Sequence, residues 1–137
     1  MTIKNDIILW DDGANCLCLL STPSEQQYKY IDGRPCITFG ISYENTSFKG
    51  YDTFTLFDHF YINILNEIKN TCNSSDGTFR IYDIGADTDG YIDFVVKNGI
   101  ASIKGQLGAS FSSHSLKFEF QADQTLIGRL IQTIELL

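Results

Sequence analysis

Several residue types and patterns are scarce in this chain of 137 residues. Only 2 Pro occur, whereas aromatic residues reach 13%, a composition that excludes a disordered or linker-like chain. No apolar run approaches the ~20 residues of a membrane span, and the segment from Met1 to Asp6 lacks the apolar core of a signal peptide. These absences predict a single cytoplasmic domain over residues 1–137 that has no membrane partner.

Basic residues are outnumbered, with 10 Lys and Arg against 17 Asp and Glu, a net charge of −7 and a pI of about 4.6. Nucleic-acid binding needs clustered Lys and Arg against the phosphates, so nucleic acid is not an expected partner. A basic protein partner is the natural inference. The acid excess is densest from Ile81 to Asp93, where four aspartates occur without a base.

The patterns of metal and catalytic chemistry are also missing. The 4 Cys include no Cys-x-x-Cys pair, so structural zinc is not expected. Cys16 and Cys18 share one face of a predicted strand with a geometry poor for a disulfide, and reduced, buried thiols are the favoured interpretation. No nucleophile elbow, phosphate loop or His-Glu-x-x-His motif occurs, and His59 and His114 are interpreted as surface residues. The sequence predicts no catalytic residue, cofactor or metal, although an enzymatic or small-ligand-binding α+β domain stays as an alternative.

The segment Asp87-Thr88-Asp89-Gly90 allows two interpretations. It has the look of a calcium loop with a glycine at its sharp turn, but aligning Gly90 with that glycine puts Gly85 and Val96 at the first and last ligand positions. A solvated acidic loop is the alternative, and the composition favours it.

The last third of the chain contains the strongest structural signal. Asn98-Gly99 predicts a two-residue type I′ turn that pairs Lys97 with Ile100 and sets the register behind it. The predicted core-facing residues are Ile92, Phe94, Val96, Ala101, Ile103 and Leu107. The opposite face, predicted to be mostly solvated, contains Tyr91, Asp93, Val95, Ser102, Lys104 and Gln106, with Asp93 directly across from Lys104. Gly105, across from Ile92, is interpreted as a bulge or a close approach of a helix.

The remaining pattern completes the predicted fold. A strand from Leu116 to Gln121 leads to Asp123, the predicted N-cap of a helix. The other predicted strands are Ile7 to Trp10, Cys16 to Leu20, Ile37 to Tyr43, Ser47 to Tyr51 and Phe79 to Ile84, with a polar connection over 22–35. Asp52, Thr53 or Thr55 is expected to open the first helix. The predicted class is α+β: a largely antiparallel sheet of about seven to eight strands with two covering helices, about 54–72 and 124–136.

The segment Ser115-Leu-Lys-Phe-Glu-Phe-Gln121, followed by Ala-Asp123-Gln-Thr125-Leu and an apolar helix, resembles the end of bacterial WapI-type immunity proteins. Gly50-Tyr51-Asp-Thr-Phe54 and the hairpin that carries Gly105 fall in similar order, so the resemblance spans about residues 36–137. It implies a cytoplasmic binding protein without catalysis, which neutralises the toxic C-terminal domain of a polymorphic or contact-dependent toxin by stoichiometric interaction. The rival class is a secretion chaperone that masks an effector segment; such chaperones normally begin with a helix, whereas strands are predicted here.

The expected partner is a cognate toxin C-terminal domain with a basic surface, a nuclease being one candidate, because oppositely charged patches speed encounter. Charge density and neighbouring aromatic residues motivate the predicted contact residues: Asp83, Asp87, Asp89, Asp93, Tyr82 and Tyr91, with Asp11 and Asp12 as a second patch. Tyr82 and Tyr91 are interpreted either as buried aromatic anchors of the interface or as side chains packed on the sheet.

Overall fold

The computed structural model describes residues 6–20, 29–31, 33–57, 63, 65–70, 76–84, 89–111 and 114–136. These residues form nine strands in two antiparallel sheets together with helical segments, which confirms the α+β class and corrects the prediction of one sheet of about seven to eight strands. The first sheet comprises β1 (Ile7–Asp11), β2 (Asn15–Leu20), β3 (Lys29–Ile31), β4 (Arg34–Asn45) and β5 (Lys49–Phe57). The second comprises β6 (Asp76–Tyr82), β7 (Tyr91–Lys97), β8 (Ile100–Leu107) and β9 (Leu116–Asp123). Helix α1 is described at residues 63 and 65–70, and α2 is Gln124–Leu136.

The long strand β4 is the centre of the first sheet. It pairs with β2 and β3 along one edge and with β5 along the other. Strand β3 and the start of β4 lie in the segment 22–35 that the sequence predicted as a polar connection, so that prediction is wrong there. Ile31 pairs with Arg34 across a two-residue turn, and Gly33 has the positive φ of 75° that such a turn favours. This short hairpin adds the extra strand.

The prediction of a helix from about residue 54 is also wrong, because β5 continues to Phe57. Phe54 and Leu56 are buried at alternate positions and pair with Phe39 and Ile37 of β4. Their spacing suits a strand as well as the start of a helical stripe, and pairing with the long neighbouring strand decides between them. The predicted range 58–62 lies outside the described residues.

The hairpin between β7 and β8 confirms the predicted turn and register. Asn98 and Gly99 have φ values of 52° and 79°, both positive as a type I′ turn requires. Lys97 pairs with Ile100 and Asp93 pairs with Lys104, as predicted. The predicted core-facing residues are buried. The opposite face differs at one position, since the Gln106 side chain, predicted to be solvated, is only 3% exposed.

Gly105 is explained by an aromatic ring instead of a bulge or a helix. It pairs with Ile92 on one side and with Phe118 of β9 on the other, and a Cβ at this position would lie 2.7 Å from Cε1 of Phe118. The Phe118 ring in turn stacks on Tyr43 of β4, with centroids 4.2 Å apart and planes 11° apart. The absent side chain of Gly105 therefore lets Phe118 join the second sheet to the first.

Both sheets and both helices contribute to one hydrophobic cluster. Asp123 precedes α2 as predicted, and its carboxylate accepts a 2.8 Å hydrogen bond from the Thr125 backbone N–H. Leu126, Ile127 and Leu130 of α2 are buried, and the helix packs against β1, β8 and β9. Within the described residues, no helix has the length and apolar character needed to cross a membrane.

Candidate partner-binding surface

Asp83 is the first acid of the segment 81–93, and it forms a hydrogen bond with the first sheet. Its Oδ1 accepts a 2.9 Å hydrogen bond from the backbone N–H of Thr55 in β5. The neighbouring Ile84 N–H donates to the Thr55 carbonyl at 3.0 Å, and the Asp83 N–H donates to the Gly90 carbonyl at 3.0 Å. Asp83 therefore connects β5 to the segment that follows β6. Asp87 lies outside the described residues.

Asp89 binds the connection that follows β8. Its Oδ1 accepts hydrogen bonds from the Ser110 N–H at 2.6 Å and from Nε2 of Gln106 at 2.8 Å, and its Oδ2 accepts one from the Ser110 hydroxyl. The hydrogen bond from the Ser110 hydroxyl is the main reason why the pKa of Asp89 lies below its usual value. The carboxylate is exposed to solvent, yet its hydrogen bonds hold the buried Gln106 in place.

Asp52 of β5 is a buried acid that the sequence reasoning placed at a helix N-terminus. Its side chain is 7% exposed, and its oxygens accept hydrogen bonds from the Gly108 N–H at 2.8 Å and the Thr53 N–H at 2.7 Å. Gly90 lies against it, because a Cβ there would be 2.7 Å from both Asp52 Oδ2 and Phe54 Cε1. Burial raises the pKa of Asp52 and the nearby Asp83 carboxylate adds to the effect, although the two backbone N–H groups oppose it.

Asp52 and Asp83 join the two sheets, and Asp89 and Gln106 hold the connection after β8 beside them; we call these four residues the inter-sheet clasp. Each member bonds a backbone or side-chain group of another segment. A signal for Asp52 was present in the sequence, since it is in phase with the buried Phe54 and Leu56. The clasp shows that much of the predicted acidic patch has a structural role.

Asp93 belongs to a charge-balanced row on the outer face of the second sheet. Arg80 donates to Asp93 Oδ2 at 2.7 Å, and the cross-strand partners Lys104 and Glu119 continue the row. Two basic and two acidic side chains alternate across four strands, so this row adds no net charge to the surface. The exposed ion pair of Arg80 and Asp93 contributes about 0.2–1 kcal/mol to stability.

The two predicted tyrosines pair with each other across β6 and β7. Tyr82 is exposed, and Tyr91 is half-buried beneath the Arg80 guanidinium, which lies 4.3 Å from the ring centroid. The ring of Tyr91 is therefore covered by a cation of its own sheet. Tyr82 is the more accessible of the two to a partner.

Asp11 and Asp12 form the turn between β1 and β2, and so lie on the other sheet from Asp93. Asp12 Oδ1 accepts hydrogen bonds from the backbone N–H groups of Ala14 at 2.8 Å and Asn15 at 2.7 Å, and Oδ2 accepts one from Trp10 Nε1 at 3.0 Å. The Asn15 N–H is the largest cause of the lowered pKa of Asp12. Both carboxylates stay exposed, with Asp11 beside a shallow depression of about 390 Å³. Their charge is accessible while their oxygens order the turn.

The described cysteines, Cys16, Cys18 and Cys36, are free thiols, as predicted. Cys36 is buried, whereas Cys16 and Cys18 are half-buried on the outer face of β2, with their sulfurs 3.5 Å apart. Burial raises the pKa of the Cys16 thiol to about 11, with contributions from Cys18, Asp11 and Glu44. The sequence predicted the shared face but not the close sulfur contact.

A second feature that the sequence reasoning missed is a group of exposed aromatic side chains. Phe48 is 63% exposed and Tyr51 59% exposed, and they flank a shallow groove of about 370 Å³. His114 and Leu116 also line this groove, whereas Phe111, which is 79% exposed, belongs to the same connection as His114 but does not line the groove. We call Phe48 and Tyr51 the exposed aromatic group. A Phe in a polar stretch, as at 48 and 111, was the available sequence signal.

The described residues include no group of three or more His, Cys, Asp or Glu side chains placed to hold a metal ion. Asp89 of the suggested calcium loop instead accepts hydrogen bonds from Ser110 and Gln106. His114 is exposed beside the aromatic groove, and His59 lies outside the described residues.

Comparison with protein-family models and with curated proteins finds no match to this chain.

Proposed function

We propose that this chain is an immunity protein, which binds a cognate bacterial toxin domain one-to-one and neutralises it in the cytoplasm. The observation that carries the proposal is the exposed aromatic group on a chain with a net charge of −7. Large aromatic side chains are enriched at protein interfaces and dominate their energetics, so Phe48 and Tyr51 are the proposed anchors. The resemblance over residues 36–137 supplies the toxin as the partner.

The net charge supports a basic partner. Long-range attraction between oppositely charged proteins speeds their encounter and weakens as salt is added. The carboxylates of Asp11 and Asp12 are exposed and remain the proposed second patch, and Asp89 of the first predicted patch is exposed as well. Asp83 and Asp93 have in-chain partners, and their proposed contribution is to the field of the whole protein.

The described residues lie mostly in antiparallel strands, nine in all, which favours immunity over a secretion chaperone with a helix-dominated fold.

Binding kinetics against the C-terminal domain of the protein encoded by the gene immediately upstream, the proposed toxin domain, test the proposal. We expect a one-to-one complex whose association rate falls as salt rises. Phe48→Ala with Tyr51→Ala should weaken the complex by about 10-fold or more, mainly through faster dissociation. Ile100→Ala is the matched control, because Ile100 is 50% exposed at the tip of the β7–β8 hairpin.

The charge part of the proposal has its own variants. Asp11→Asn with Asp12→Asn removes two charges while leaving side-chain oxygens that accept the turn's hydrogen bonds. Slower association and a flatter salt dependence are expected. Mutating Asp83 or Asp89 is less informative, because either change also disturbs the inter-sheet clasp. No complex with the wild-type chain would remove the proposal, and unchanged kinetics in the Asn variant would remove the second patch.

A further inference from the structure

The thiols of Cys16 and Cys18 form a pair on the outer face of the first sheet. They alternate with Leu17 and Leu19, whose side chains are buried, so both sulfurs are on the side away from the core. Their Sγ atoms are 3.5 Å apart, and neither forms a disulfide. Two ligand atoms are therefore already side by side on a rigid strand.

The sulfur separation suits a shared metal ion better than a disulfide. Tetrahedral zinc with Zn–S bonds of about 2.3 Å places two sulfurs about 3.8 Å apart, so the observed pair needs to open by only about 0.3 Å. A disulfide of about 2.05 Å would require the sulfurs to close by about 1.5 Å. Residues two apart on a strand have Cα atoms about 6.7 Å apart, close to the upper limit for a disulfide. Chelation of a metal ion therefore requires less movement of the two sulfurs than formation of a disulfide does.

Two carboxylates flank the pair. Asp11 pairs with Cys16 across β1 and β2, and Glu44 pairs with Cys16 across β2 and β4, so all three side chains share one face. The same residues line the depression of about 390 Å³, through which an ion has access. Nζ of Lys49 lies 3.9 Å from Oε2 of Glu44. This ion pair is exposed to solvent, so breaking it costs little free energy. Negative charge on both sides of a dithiol attracts a cation.

We propose that Cys16 and Cys18 chelate one soft divalent cation, Zn²⁺ or Cd²⁺, with Asp11, Glu44 or water completing its coordination. Each sulfur forms a bond to the cation as its proton leaves to solvent, so binding releases two protons and needs no oxidant or reductant. Since no three acidic, Cys or His side chains of the described residues converge on one point, the two sulfurs are the primary ligands and a carboxylate must rotate to join them. Soft thiolate ligands select such ions over Mg²⁺ and Ca²⁺.

Titration of the reduced, full-length chain with Cd²⁺ at about pH 8, where thiols lose protons more readily, tests the site. We expect the ultraviolet thiolate-to-cadmium charge-transfer band to saturate at one ion per chain, with proton release measured by an indicator dye. Excess Mg²⁺ should not displace the ion. Cys16→Ser or Cys18→Ser should weaken binding more than about 100-fold, and Asp11→Asn with Glu44→Gln about 10-fold. Cys72→Ser is the control that should bind like the wild type.

Absence of the band in the wild type, or a band that persists in Cys16→Ser with Cys18→Ser, would overturn the proposal. Circular dichroism establishes whether each variant is folded. If a serine variant is unfolded, alkylation of the wild type decides the question. Because the raised pKa of Cys16 slows its alkylation with or without the ion, Cys18 is the readout: its protection from iodoacetamide by one equivalent of Cd²⁺ supports the site, and equal labelling of Cys18 with and without the ion overturns it.

Discussion

Replacing Gly105 by alanine tests how the two sheets are joined. The added Cβ would lie 2.7 Å from Cε1 of Phe118, so the ring or the strand must shift. The ring is stacked on Tyr43 at 4.2 Å, and a shift disturbs this contact between the sheets. Overpacking of a core costs about 1–3 kcal/mol, and a disturbed aromatic pair adds about 0.5–1.5 kcal/mol. We expect Gly105→Ala to lower the free energy of unfolding by about 2–4 kcal/mol.

Thermal and urea unfolding followed by circular dichroism measure this loss. For a chain of this length, about 1 kcal/mol corresponds to about 4 °C in Tm, so a decrease of about 8–16 °C is expected. Gly128→Ala is the matched control, because Gly128 lies in α2 with no atom within 4 Å of an added Cβ. That substitution should stabilise the chain by up to about 1 kcal/mol, since alanine is the better helix former.

A double-mutant cycle identifies the ring as the cause. Phe118→Leu removes the atoms that the new Cβ would meet, so adding Gly105→Ala in that background should cost less than about 0.5 kcal/mol. An equal cost of Gly105→Ala in both backgrounds would refute the reasoning. A wild-type-like Tm for Gly105→Ala alone would refute it as well.

Two further predictions concern ionisable groups. Burial and the Asp83 carboxylate raise the pKa of Asp52 above 3.8, so the folded chain holds this proton more tightly than the unfolded chain. The free energy of unfolding therefore gains a contribution as pH falls through the folded pKa, and the variant Asp52→Asn lacks this contribution. Urea unfolding from about pH 7 to about pH 4 measures the difference in free energy of unfolding between the wild type and the variant. A difference that stays constant with pH would contradict the raised pKa of Asp52. Burial raises the pKa of Cys16 to about 11. Iodoacetamide should thus alkylate it about 100-fold more slowly at pH 8 than a thiol with the ordinary pKa, and Glu44→Gln should speed the reaction; peptide mass spectrometry reports both rates, and fast labelling of the wild type would contradict the raised pKa.

Local signals predicted the second sheet well. The Asn98-Gly99 turn sets the register of β7 and β8 from two residues, because a type I′ turn leaves no freedom in the pairs behind it. The Asp123 cap was also predictable from a local signal, since the hydrogen bond from Thr125 to Asp123 joins residues only two positions apart. Gly105 was predicted to mark a bulge or a close approach of a helix, and both interpretations were wrong, because the group that approaches it, Phe118, depends on the pairing of β8 with β9.

Long-range contacts explain the failures. The positions of Phe54 and Leu56 fit both the two-residue period of a strand and the 3.6-residue period of a helix. Only pairing with β4 makes them part of a strand. The acidic segment was interpreted as a free surface because composition does not reveal distant donors. The Thr55 N–H that bonds Asp83 is 28 positions away in the chain. The exposed aromatic group was missed for a related reason, because exposure of a Phe is a property of the fold.

Growth rescue tests the central claim, that this chain neutralises a toxin domain by binding it. Cells would express the C-terminal domain of the protein encoded by the gene immediately upstream, the proposed toxin domain. At matched levels they would also express one of three chains: the wild type, the double variant Phe48→Ala with Tyr51→Ala, or the control Ile100→Ala. We expect the wild type and Ile100→Ala to restore growth, and we expect the double aromatic variant to restore it poorly. Failure of the folded, expressed wild-type chain to restore growth would contradict the account.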